Sequence, residues 1–83
     1  MQNISIGQVK AARALLDWTQ SDLAAASGVS MPTLSRLEMG TGNIGGRAST
    51  GAKLVRALEG AGVIFLYANG EGAGVRLRHP ARD

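Results

Sequence analysis

The sequence predicts a mainly α fold in which four helices are followed by a C-terminal β-hairpin. Three observations carry this expectation. Ser5, Thr19, Ser30 and Ser49 or Thr50 each stand where a side-chain oxygen can cap the start of an apolar-periodic segment. Gly28 marks a very short connection between the second and third of these segments. Beyond Gly62, VIFLY at 63–67 and VRLR at 75–78 are rich in strand formers, and ANGEGAG between them supplies glycine for a reversal.

The first helix is expected from Ile6 to about Asp17, with Ile6, Val9, Ala12 and Leu16 facing inward and Leu15 at the margin. Thr19 opens the second: its oxygen can accept from the N–H of Asp22, whose carboxylate can reach back in a shortened capping box. Trp18 and Leu23 occupy the hydrophobic-staple positions, as Val29 and Leu34 do for the helix capped by Ser30. Leu34 and Leu37 turn that third helix inward, which leaves Met31, Pro32, Thr33, Ser35 and Arg36 largely on its outer face. Pro32 lacks an N–H and is tolerated in a first turn, but it biases Met31 away from helical angles, so the helix is expected to start one residue late. Two capped helices joined by so short a turn cross steeply, the geometry that places a helix in a DNA groove.

The fourth helix is expected to run from a Ser49 or Thr50 cap to about Glu59, with Leu54, Val55 and Leu58 inward and some fraying at Gly51. Lys53 and Arg56 lie one turn apart on it. The polar, glycine-rich TGNIGGRAS precedes it as a loop.

Gln20, Leu23, Ala24, Gly28, Val29, Ser30, Leu34, Arg36, Leu37, Glu38 and Gly40, with Arg13 and Leu16 upstream, together resemble the Cro/CI (Xre) family of helix-turn-helix repressors. The resemblance is specific over Val9 to Gly40 and weaker over Ser49 to Gly60. It implies a recognition helix at about 30–39 and an ion pair between Arg13 and Glu38, against which stands the plain reading of two solvated charges. Gln20 matches a family glutamine that contacts phosphate and steadies the recognition helix, or is simply a solvated N-terminal residue. Thr41, Asn43 and Arg47 fall in the loop where the family meets the sugar-phosphate backbone, with Lys53 and Arg56 as the next candidates. That loop is longer than is usual in the family, and a hairpin replaces the common fifth helix.

Chemistry assigns the outer face in part. Arg36 can donate two bonds to guanine O6 and N7, or it can hold a phosphate. Met31 and Pro32 depart from the polar residues common at these positions and suit contact with a thymine methyl. Ser30, Thr33 and Ser35 can serve phosphates or bases.

Composition agrees with a nucleic-acid partner. The 83 residues carry nine Lys/Arg against six Asp/Glu, a net charge of +3. Without cysteine, a disulfide framework and a zinc finger are excluded. No apolar run reaches membrane-spanning length and MQNISIGQVK lacks a signal-peptide core, so a cytoplasmic protein is expected. The single histidine, His79, precedes a proline, and no nucleophile–base pair or metal-ligand spacing is evident, so neither catalysis nor a cofactor is expected. The glycines at 70, 72 and 74 lack the Lys-Ser/Thr pair of a phosphate-binding loop.

Residues 1–62 are thus expected to form the DNA-binding domain, 63–78 a hairpin used for dimerisation, and 79–83 a flexible tail. Val63, Phe65 and Tyr67 alternate with Ile64 and Leu66, and Val75 and Leu77 add to the second strand, more apolar surface than one buried face can hide. A homodimer on an inverted-repeat operator would bury it, whereas a monomer would fold the hairpin over its own helices. The corresponding functions are a repressor, or an antitoxin or antiactivator that acts mainly by binding another protein.

Overall fold

A computed structural model describes residues 4–44 and 48–79. Four helices, α1 (Ile6–Leu16), α2 (Gln20–Ser27), α3 (Met31–Glu38) and α4 (Ala48–Gly60), precede strands β1 (Val63–Leu66) and β2 (Gly74–Leu77). The fold class is the one the sequence predicts.

Capping fixes most of the boundaries. Ser5 Oγ accepts from the N–H of Gln8 at 3.0 Å while Gln8 Oε1 accepts from the N–H of Ser5 at 2.8 Å, a reciprocal box that opens α1. Thr19 and Asp22 open α2 in the same way. The helix α1 stops one residue before the expected Asp17, because Asp17 itself enters the left-handed region at φ 59°. The N–H groups of Asp17 and Trp18 then donate to the carbonyls of Ala14 and Arg13, closing the helix as a Schellman motif does. Gly28, at φ 78°, ends α2 as expected.

Helix α3 does not start late. Met31 is its first residue, because Ser30 caps the helix, accepting from the N–H of Thr33 at 3.3 Å. That cap and the burial of Leu34 and Leu37 outweigh the pre-proline bias, and Pro32 sits where no intrahelical donor is needed.

Residues 42–44 are held more firmly than a polar loop suggests. Ile6 donates its N–H to the carbonyl of Gly42 at 2.8 Å, Ile44 donates to Ile4 at 3.0 Å, and Ser5 and Asn43 form an antiparallel bridge. Ile4 is buried and Ile44 packs on the core. Helix α4 begins at Ala48, so Ser49 and Thr50 lie inside its first turn rather than capping it. A Cβ at Gly51 would stand 3.4 Å from Ile44 Cγ2. The glycine expected as a weak point therefore lies against the returning chain, its side-chain position at van der Waals distance from Ile44.

The hairpin pairs Val63 with Leu77, Ile64 with Arg76, Phe65 with Val75 and Leu66 with Gly74. Val63 and Phe65 are buried in the same core as Val9, Leu23, Leu34 and Leu54, and Tyr67, Val75 and Leu77 pack against it. Leu15, expected at the inner margin of α1, is exposed, whereas Leu16 is partly buried.

Buried Gln8 joins the two ends of the chain. Its Nε2 donates to the carbonyls of Leu66 at 3.2 Å and Gly74 at 3.0 Å, the last pair of the ladder. Every polar atom of this side chain is used, as burial requires. Gln8→Ala strands those carbonyls and half of the α1 capping box, and is expected to cost about 2 kcal/mol in urea unfolding. A loss within about 0.5 kcal/mol would show that the hairpin docks without it.

Candidate nucleic-acid interface

The outward face of α3 is defined by what holds its other face in place. Leu34 and Leu37 enter the core, and beside them Glu38 is buried. A buried carboxylate demands partners, and three side-chain donors meet it. Arg13 Nε donates to Oε2 at 2.9 Å and its terminal nitrogen to Oε1 at 2.6 Å, a bidentate fork. Gln20 Nε2 donates to Oε1 at 3.0 Å. The remaining terminal nitrogen of Arg13 donates to the carbonyl of Trp18 at 3.0 Å. One guanidinium thus ties α1, the α1–α2 corner and the C-terminal turn of α3 together.

Burial by itself pushes the Glu38 carboxyl up, yet the hydrogen bonds from Arg13 and Gln20, with the charges of Arg13 and Lys10, hold it below the ordinary glutamate value. The hydrogen bond to Glu38 raises Arg13 in turn, against the opposing effect of burial. Both groups stay charged at neutral pH.

With that side fixed, Pro32, Ser35, Arg36 and Met39 form a line at i, i+3, i+4 and i+7 on the opposite side. Pro32, Arg36 and Met39 are exposed and Ser35 is half-buried. Met31 is exposed at the N-terminal edge, and Thr33 is half-buried, its Oγ1 accepting from Ser30 Oγ at 2.9 Å. Thr41 and Asn43 are exposed in the following loop, and Lys53 and Arg56 are exposed on α4, which packs chiefly on α2. Arg47 and residues 80–83 of the expected tail lie outside the described residues.

A family model described as helix-turn-helix matches residues 9–58, more than half of the chain. The chain belongs to the Cro/CI-type (Xre) helix-turn-helix family. In this Cro/CI-type protein α2 and α3 are the helix-turn-helix pair. The family is one of DNA-binding regulatory domains rather than enzymes. The matched region ends before the hairpin. A search of curated proteins finds no match. No helix among the described residues is long and apolar enough to cross a membrane.

The structure brings Arg13 and Glu38 together and adds Gln20, whose amide nitrogen is engaged inside the protein rather than left free for solvent. Two residues escaped the sequence reading. Met39 was detectable as the next member of the Pro32, Ser35, Arg36 line, and Gln8 as the third residue after the Ser5 cap.

Acid should loosen this arrangement in a definite direction. Because Glu38 is lowered in the fold, its contribution is fully present above the ordinary value of 4.5 and is lost as pH falls through the lower folded value. Unfolding midpoints measured across acid pH should fall less steeply in Glu38→Gln than in the parent. Parallel curves would remove Glu38 from the acid response.

Proposed function

We propose that this helix-turn-helix protein is a homodimeric cytoplasmic repressor that binds an inverted-repeat operator, its own promoter being one candidate target. The observation that carries the reading is the outward line on α3, braced from behind by the Arg13–Glu38–Gln20 network. Arg36 enters the groove at the centre of that line, with Ser30, Met31, Pro32, Thr33 and Ser35 around it. Thr41, Asn43, Arg47 and Lys53 supply phosphate contacts, and the charges of Arg47 and Lys53 make binding salt-sensitive, whereas Gln20, its side-chain amide held by Glu38, braces the helix instead.

The dimer reading rests on the hairpin. Its inner-face residues Val63, Phe65, Tyr67, Val75 and Leu77 are engaged by the chain's own helices, so Ile64 and Leu66 are the apolar residues of the outer face left for a second copy. Leu66 is 40 % exposed. A protomer of 32 × 31 × 19 Å suits recognition helices about 34 Å apart, one turn of DNA.

One observation favours the second reading, an antitoxin or antiactivator that binds another protein. Arg76 pairs with Ile64 across the ladder and shares its outward face. Two copies meeting face to face would oppose these arginines, whereas an acidic partner would neutralise them.

Sedimentation separates the readings. The parent is expected to be dimeric at micromolar concentration and Leu66→Lys monomeric. A monomeric parent that binds a full palindrome without cooperativity would overturn the hairpin dimer.

Arg36→Ala is expected to cost about 1–3 kcal/mol on the operator and to relax preference at one base pair in each half-site. Affinities for a panel of single-base operator variants check this. An equal loss on every variant would assign Arg36 to phosphate.

A further inference from the structure

We infer that the outward line of α3 reads pyrimidine C5-methyl groups, and that Met39 is a specificity-determining residue for this beside Pro32. The inference rests on the DNA-binding reading above and deepens it. Met39 is 83 % exposed, more than any other large hydrophobic among the described residues. It follows the last residue of α3 but keeps helical angles, φ −76° and ψ −16°, so it continues the line of Pro32, Ser35 and Arg36. Leu34, Leu37 and Glu38 are buried on the opposite side. A single exposed hydrophobe is ordinary on a protein surface. This one shares its line with a guanidinium, on a chain of net charge +3 whose family binds DNA.

Charge complementarity therefore selects a polyanion as the occupant of this face. A thioether and a pyrrolidine ring give a base edge no donor. The apolar feature that the major groove offers them is the C5-methyl of thymine, or the same group on 5-methylcytosine. Seven residues at 1.5 Å rise separate Pro32 from Met39 by about 10 Å along the helix, or about three base-pair steps. Arg36 lies between them. Methyl contacts should accordingly bracket the position that Arg36 reads.

The test uses duplexes enriched by the full chain from a random pool. These are resynthesised with deoxyuridine replacing single thymidines, which removes only the methyl, and separately with 5-methylcytosine replacing single cytosines. Loss of one contacted methyl should weaken binding about fourfold, and a symmetric pair about fifteenfold. A thymine reader responds in the first arm, and a 5-methylcytosine reader gains affinity in the second.

Met39→Gln, at an exposed position, should bind the thymidine and deoxyuridine duplexes equally at the position it contacts. Pro32→Asn, polar like Met39→Gln, should do the same at the other. A merely structural role would lower both affinities and leave their ratio unchanged, which overturns the assignment. An enriched site indifferent to both base replacements also overturns it while leaving the DNA-binding reading intact. Failure to enrich any site overturns that reading and this inference with it.

Discussion

The buried carboxylate of Glu38 is the constraint around which the helical part of this protein is organised. Its desolvation is costly, and the Arg13 fork together with the Gln20 amide offsets that cost only if α1, α2 and α3 stand in one arrangement. Arg13 completes the constraint through the Trp18 carbonyl, while its own carbonyl accepts from the Trp18 N–H. The guanidinium therefore braces the α1–α2 corner as well as α3. Hydrophobic burial of Leu34 and Leu37 would tolerate small rotations of α3. The bidentate geometry restricts them, and the direction of the exposed line follows.

A second polar anchor acts at the other side of α1. Gln8 serves both as the partner of Ser5 at the helix start and as the donor to two hairpin carbonyls. Helix α1 thus carries Gln8 toward the hairpin and Arg13 toward α3, five residues apart, while Val9 and Ala12 enter the core between them. The hairpin contributes Val63 and Phe65 to that core, although the family match ends before it. Its outer face, where Ile64 and Leu66 stand beside Arg76, is the surface that distinguishes the dimer reading from the protein-partner reading.

Local chemistry explains what was legible in the sequence. Ser5, Thr19, Ser30 and Gly28 act within one helical turn of themselves, so their roles can be read from spacing, and all four cap or close a helix as expected. The alternation of β1 likewise announced two faces. What sequence could not give were contacts between distant segments. Asn43 sits in a bridge with Ser5, Ile44 packs against Gly51, and Gln8 reaches residues more than fifty positions away. Asp17 was missed for a different reason: its left-handed conformation is uncommon outside glycine and depends on the turn that follows. In the candidate site, Arg36 and Pro32 were identifiable from helical phase. Gln20's engagement with Glu38 needed the third dimension.

A double-mutant cycle of Arg13→Met and Glu38→Met, read by urea unfolding at neutral pH, tests most directly whether this buried pair fixes α3. Each single change strands a charge, at about 3 kcal/mol, the lower end of the range for buried pairs because Arg13 retains some exposure. The double change removes both charges and should lose at least about 2 kcal/mol less than the sum of the singles. Single losses that add to within about 0.5 kcal/mol would contradict the claim that this pair holds α3 in place.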